Sequence, residues 1–281
     1  MERLSSFIGS LKSHYPVVVV GSGYGGAIAA SRLARAGQKV CLLERGREFQ
    51  PGEYPNQTIS AATHFQIDGP DLRRGAPTAL YDLRLNPDID VFLGCGLGGT
   101  SLVNANVALR PDPRLFEDLC WPQALRADLD GGVAQGYTRA EAMLTPSPYP
   151  ESAPPLPKLV ALEASAAALG GKFSRPPINV TFESGVNQAG VYQHACNCCG
   201  DCCSGCNYGA KNTVLMNYLP DAVNHGAEIY TTVSVRSLAV TRTRAPATSA
   251  VAVMGPGVAK VGMAILLVFQ ARLLKVASDH R

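Results

Sequence analysis

Val17-Val18-Val19-Val20-Gly21-Ser22-Gly23-Tyr24-Gly25-Gly26, running on to Gly37 and Glu44, is the stretch on which the reading of the fold turns. Four consecutive valines predict a strand covered on both faces, because β-branched side chains suit a pleated, buried surface. Gly21, Gly23 and Gly26 then spell G-x-G-x-x-G where the strand must turn sharply. From Ala27 the run Ala-Ile-Ala-Ala-Ser-Arg-Leu-Ala-Arg-Ala is helical in composition, and Gly37 stands where a cap glycine belongs. A second strand, Lys39-Val40-Cys41-Leu42-Leu43, delivers Glu44 at its end. The result is a complete β-α-β unit.

Each part of that unit has a physical task. The first glycine permits the tight turn, the second lets a pyrophosphate approach the backbone, and the third lets helix and strand pack closely. The helix start offers unpaired N–H groups and a partial positive charge to phosphates. Glu44 is suited to accept hydrogen bonds from both ribose hydroxyls and would repel a 2′-phosphate, which favours FAD or NAD over NADP. An adenine dinucleotide is the reading; a plain structural turn is the bland alternative.

Composition narrows the classes. At 281 residues the chain has room for one large domain or two small ones. A net charge of +3 points to no nucleic-acid or polyanion partner. Met1–Tyr15 is mixed and polar, unlike a signal peptide. The longest apolar run, Val261–Phe269, falls short of the roughly 20 residues that span a bilayer, so no transmembrane segment is expected. Nine cysteines with no outward-directing segment suggest a reducing, cytoplasmic setting.

Residues 47–90 are rich in Pro, Gly, Asp and Arg and read as an irregular, partly extended excursion such as covers a cofactor. Asp90-Val91-Phe92-Leu93 reads as a short buried strand feeding a second glycine cluster, Gly94 to Asn104. So many glycines imply close backbone approach or positive φ, either around a ligand, with Thr100, Ser101 and Asn104 as polar groups, or in an irregular turn. Residues 123–145 have helical composition broken by Gly131-Gly132, and Pro146–Pro157 reads as a stiff loop. Leu159–Leu169 reads as a helix. Tyr208–Thr213 reads as a turn that opens a helix over Val214–His225 with Thr213 as its cap, followed by a strand over Glu228–Val233. His64, His194 and His225 are isolated and read as surface or core residues.

Cys196, Cys199, Cys202 and Cys206 form C-x2-C-x2-C-x3-C, with Cys198 and Cys203 interleaved. The spacing matches the bacterial ferredoxin run, although Asn207 stands where that run has proline. An iron–sulfur cluster, a zinc site, local disulfides and a cysteine-rich turn are the readings this spacing leaves open.

Three blocks together resemble the glucose–methanol–choline (GMC) oxidoreductases, in particular their bacterial cholesterol oxidase-like branch. The blocks are Gly21–Gly26 with Glu44-Arg45-Gly46; Gly94 to Ala105 with Arg110-Pro111; and Cys199–Cys202 through Cys206–Thr213. They span residues 16 to about 238, the family's N-terminal part. The resemblance implies an α/β fold, a Rossmann-like FAD-binding domain with an incomplete α+β substrate-side domain. It implies that Gly21, Gly23, Tyr24, Gly25 and Gly26 hold the pyrophosphate and Glu44 the adenosine ribose. It places Gly99 and Thr100 against FAD, Asn104 and Ala105 beside the flavin with Val107 on the same strand, and the Val235 backbone at the adenine. The activity implied is oxidation of an alcohol or sterol by hydride transfer to flavin, with dioxygen or another acceptor reoxidising it.

The resemblance also implies a division: 1–120 as the first part of the FAD-binding domain, 121–204 as substrate-side segment, 205–240 as a return to the FAD domain, and 241–281 as an atypical tail. Family members are considerably longer and carry their catalytic His and Asn near the C-terminus, so a truncated or frame-shifted form, or a gene fragment whose partner is encoded separately, is expected here. No catalytic residue is assigned. The tail reads either as motif-free or as a helix around Val258–Val276. A non-catalytic nucleotide-binding fragment and an iron–sulfur electron-transfer protein are the competing functions.

Overall fold

The computed structural model describes residues 2–241, 249–254 and 260–268. Strand β1 (His14–Val20), helix α1 (Tyr24–Arg35) and strand β2 (Val40–Leu43) form the expected unit, with Val17 opposite Val40 and Val20 opposite Leu43 in parallel register. A short helix, α2 (Thr58–Ala62), leads to β3 (Phe65–Asp68), β4 (Arg73–Arg74), β5 (Tyr81–Arg84) and β6 (Val91–Gly94). Helices α3 (Gln123–Arg126) and α4 (Ala134–Leu144) follow, then β7 (Ser147–Pro148), α5 (Pro157–Ala168) and the paired fragments β8 (Pro177–Ile178), β9 (Gly185–Val186) and β10 (Tyr192–Gln193). The chain closes with α6 (Tyr218–Asn224), β11 (Glu228–Tyr230), β12 (Val235–Thr241), β13 (Ser249–Met254) and β14 (Lys260–Val268).

The principal sheet has the order β11-β2-β1-β14-β13-β12. Its first four strands are mutually parallel, and β13 and β12 extend it in antiparallel fashion. Both faces of β1 are covered, as the valine run requires. Val17 and Val19 pack with Ala27, Ala30 and Ala34 of α1 and with Leu219 of α6, while Val18 faces Tyr15, Cys41, Leu43 and Tyr230. The alanines keep α1 close to the sheet, and each buried valine contributes about 1.5–3 kcal/mol of burial.

The structure departs from expectation in four places. Residues 65–94 are a four-stranded sheet of order β4-β3-β5-β6, more regular than the excursion expected over 47–90. Within it β6 is half-exposed, Phe92 being 42% accessible, so it is not a buried strand. The helix before β11 starts at Tyr218 rather than Val214, because Asn217 Oδ1 accepts the Tyr218 N–H at 2.7 Å and caps it. Thr213 is no cap; Val214, Leu215 and Met216 are buried in turn conformation. Finally, Lys260–Val268 is a strand in parallel pairing with β1, where a tail helix over Val258–Val276 is the sequence expectation. The remainder of that proposed helix, 258–259 and 269–276, lies outside the described residues.

Candidate functional site

The site is built where β1 ends. Gly21 turns the chain with φ +92° while its N–H bonds Leu43 O at 2.8 Å. A Cβ on Gly26 would lie 1.9 Å from the Gly21 carbonyl oxygen, so only glycine lets α1 seat on the turn. Gly23 is different: a Cβ there would meet nothing within 4 Å. That open space faces the start of α1, which no side chain caps, and Gly25 is exposed in its first turn. Uncapped N–H groups beside a side-chain-free backbone are an anion cradle.

The second glycine cluster closes against this turn. Gly98 and Gly99 adopt φ of +116° and +57°, and a Cβ on Gly99 would stand 2.7 Å from Gly23 Cα. Ser22 ties the two blocks together: its hydroxyl donates to Glu44 Oε2 at 2.6 Å and accepts from the Gly98 N–H at 3.0 Å. Glu44, only 2% exposed, also accepts from Ser22 N at 3.0 Å and Gly46 N at 2.7 Å. Three donors leave a carboxylate room for about one more hydrogen bond, enough for one ribose hydroxyl and not for both as the sequence suggests. The segment after β11 is drawn to the same place, since Val233 N donates to Glu44 O at 2.8 Å and Thr232 N to Gly46 O at 3.0 Å. Val235 follows two residues later and is half-buried against the face of β1 and β2.

On the other side of Gly23 lies the block leading to Asn106. Thr100 Oγ1 accepts from Gly94 N at 3.2 Å, which holds the loop mouth shut. Asn104 Nδ2 donates to the Tyr24 hydroxyl at 3.0 Å, joining the block to α1. Burial pushes the Tyr24 phenol up, against the opposing effect of hydrogen bonds with Asn104 and Asn179. Ala105 and Val107 are exposed on this strand-like segment, and Val107 bridges Ile178. Next to them two buried acceptors, Asn106 Oδ1 and Asn179 Oδ1, have no partner among the described residues. Buried orphan acceptors are uncommon and mark where a hydrogen-donating ligand fits. Cradle, ribose acceptor and orphan acceptors all agree with a dinucleotide such as FAD.

The cysteine run does something else. Among the described residues no three His, Cys, Asp or Glu side chains converge to hold a metal, so Cys196, Cys199, Cys202 and Cys206 are not brought together as a ligand set. All are free thiols. Burial raises Cys196 to about 11 and raises Cys202 as well. The iron–sulfur reading thus finds no converged ligand set among the described residues. The loop instead packs on residues 52–54 and on β5: Asn207 Oδ1 accepts from Gly52 N and Tyr54 N at 2.9 Å, and Tyr81 OH donates to Ser204 O at 2.8 Å. Asn207 is thus a clamp at the position where the ferredoxin pattern has proline.

Sequence reasoning passes over Ser22, Asn106, Asn179 and Lys211. Ser22 sits inside the glycine motif as an x position, and Lys211 reads as an ordinary turn lysine. Its ammonium is buried and grips Leu102 O, Asn104 O and Cys202 O at 3.1, 2.8 and 2.9 Å. The histidines are engaged elsewhere: His64 with Arg47, His225 with the Asp221 carbonyl, His194 edge-on to Tyr192.

The chain is 30% identical to a cholesterol oxidase of Mycobacterium tuberculosis over 239 residues, 80% of this chain and 40% of that protein. It is 27% identical to a cholesterol oxidase of Acinetobacter baumannii over 228 residues, 77% and 40% respectively. A long-chain-alcohol oxidase of Arabidopsis thaliana is 30% identical over 221 residues, 76% of this chain and 26% of that protein. The chain therefore spans two fifths or less of these relatives, over the N-terminal part of the cholesterol oxidases. The crystal structure of pyridoxine 4-oxidase from Mesorbium loti aligns with a TM-score of 0.48 at 15% identity, covering 90% of this chain and 49% of the other. Among the described residues no helix is long and apolar enough to cross a membrane. The family model of the GMC oxidoreductases, which are FAD-dependent enzymes, matches residues 18–263. A match over that much of its length establishes that the chain belongs to the GMC oxidoreductase family.

Proposed function

We propose that this chain forms the FAD-binding part of an oxidoreductase acting on CH–OH groups, with a small alcohol or sterol as substrate and dioxygen as electron acceptor. The observation that carries the reading is the open space at Gly23, set between the uncapped start of α1 and the anchored carboxylate of Glu44. Bound FAD would supply the acceptor for the carbinol hydride, with the hydroxyl proton released to water and dioxygen taking up two electrons and two protons as hydrogen peroxide.

The chain's own residues bind and orient. Gly21, Gly23, Tyr24, Gly25 and Gly26 take the diphosphate, Glu44 the adenosine ribose, and the backbone at Val235 the adenine. Gly99 and Thr100 flank the diphosphate, and the segment carrying Asn104, Ala105 and Val107 lies beside the flavin. Residues 1–120 and 205–240 serve the cofactor and 121–204 the substrate side. The relatives' own names, cholesterol oxidase and long-chain-alcohol oxidase, support the substrate class. Free thiols throughout the chain support a reducing, cytoplasmic setting.

The test is anaerobic. The chain loaded with FAD is mixed with primary alcohols and sterols, and bleaching of the flavin with formation of the carbonyl product is expected. FAD that stays bound but is bleached by no alcohol would leave a nucleotide-binding chain without turnover, and the oxidoreductase reading would fall.

A further inference from the structure

A buried cation lies behind the loop that meets the cofactor. Lys211 is 2% exposed, and its three bonds to Leu102 O, Asn104 O and Cys202 O use all the donors of an ammonium. Burial lowers its pKa to about 8, against the opposing effect of Cys202, Cys203 and Cys206, and among the described residues its hydrogen-bond partners are carbonyls, with no carboxylate. An ammonium buried without a counter-ion carries a desolvation penalty that a packed methionine would avoid. Packing alone therefore does not account for a lysine here.

The loop it grips is the one whose Gly99 rests on Gly23 and whose Asn104 holds the Tyr24 hydroxyl. A dinucleotide with its ribose on Glu44 and its diphosphate over Gly23 continues along this loop, so its ring end runs past the backbone held by Lys211. We propose that Lys211 is a positioning residue for the flavin, fixing the Leu102–Asn104 backbone and setting a positive charge beside the ring that favours its electron-rich reduced state. The proposal rests on the FAD reading above. It adds a role to a residue outside the glycine motifs, and it gives the cysteine loop a part in redox chemistry without a metal, through the carbonyl of Cys202.

Two variants separate charge from structure. Lys211→Met removes both the hydrogen bonds and the charge; Lys211→Gln keeps amide donors and removes the charge. Each is loaded with FAD and equilibrated with redox dyes at a fixed potential. The ratio of reduced to oxidised flavin is expected to fall by about tenfold or more in both, as loss of a nearby charge in a partly buried setting predicts. A residue with only a packing role would lower stability and leave that ratio unchanged, which would overturn the proposal. Should neither variant fold, the wild-type chain labelled with 15N-lysine serves instead. The slowly exchanging ammonium signal of Lys211 is expected to move when bound flavin is reduced with dithionite, and a stationary signal would overturn the proposal. Wild-type chain that takes up no FAD refutes the FAD reading and this one with it. Variants poised like a wild-type chain that does hold FAD refute this one alone.

Discussion

Gly23 and Gly26 stand three positions apart in one motif and answer to different forces. At Gly26 an added methyl collides with the Gly21 carbonyl at 1.9 Å, a backbone atom that has nowhere to go. Gly26→Ala is expected to lower stability by about 3 kcal/mol through overpacking, read from the urea midpoint without any ligand. At Gly23 the methyl meets nothing, and its φ of −63° suits alanine. Gly23→Ala should therefore leave the urea midpoint within about 0.5 kcal/mol of wild type while weakening FAD binding by about tenfold or more, since the methyl would occupy the space proposed for the diphosphate. Equal stability loss in the two variants would contradict the assignment. Glu44→Gln should weaken FAD binding by about 2 kcal/mol in a fluorescence titration, because one amide oxygen replaces two carboxylate acceptors. These positions are legible in sequence because their constraint is steric and local. Lys211 is not, since its burial is decided by Leu102, Asn104 and Cys202, which lie 9 to 109 positions away, and lysine in a turn ordinarily reads as surface.

Elements are held by a few polar latches whose removal is measurable. Asp221 of α6, buried, accepts from Ser31 Oγ at 2.5 Å and from Arg35 Nε at 2.8 Å, both on α1. Burial acts to raise the Asp221 carboxyl, but the hydrogen bonds from Arg35 and Ser31 outweigh it and hold the group below its usual value. A depressed folded-state pKa contributes stability above the unfolded value of about 3.9, and that contribution is lost as pH falls through the folded value. Asp221→Ala should cost about 2 kcal/mol at neutral pH, the part-exposed Arg35 keeping the figure low. The gap from wild type should narrow in acid; a gap independent of pH would refute the latch. Asn217→Ala should cost about 1 kcal/mol by removing the cap of α6, measured by urea unfolding. That cap also explains why the helix start is misread. Val214–Met216 are apolar enough to pass for helix, and only the side chain of Asn217 decides otherwise. Strands β3 to β5 escape a sequence reading for another reason: they are two to four residues long and their salt-bridged Asp68, Arg73, Asp82 and Arg84 break the apolar alternation.

Over the whole molecule, the β-α-β unit, the second glycine block and the return through β11 are the frame legible in the sequence, and the structure joins them around Glu44. The strand beside β1 is not legible, because an apolar run such as Val261–Val268 is as compatible with a helix as with a strand until its neighbour is known. In the sheet β14 pairs with β1 from His14–Gly262 to Val20–Val268. The account's central claim is that these pieces make one FAD site. The measurement that tests it most directly is an absorption spectrum of the purified chain after incubation with FAD and desalting, with Gly23→Ala run beside it. Flavin bands retained near one equivalent by the wild type and lost from the variant are the predicted result. A colourless wild-type chain, or a variant that holds FAD as firmly, would contradict the account.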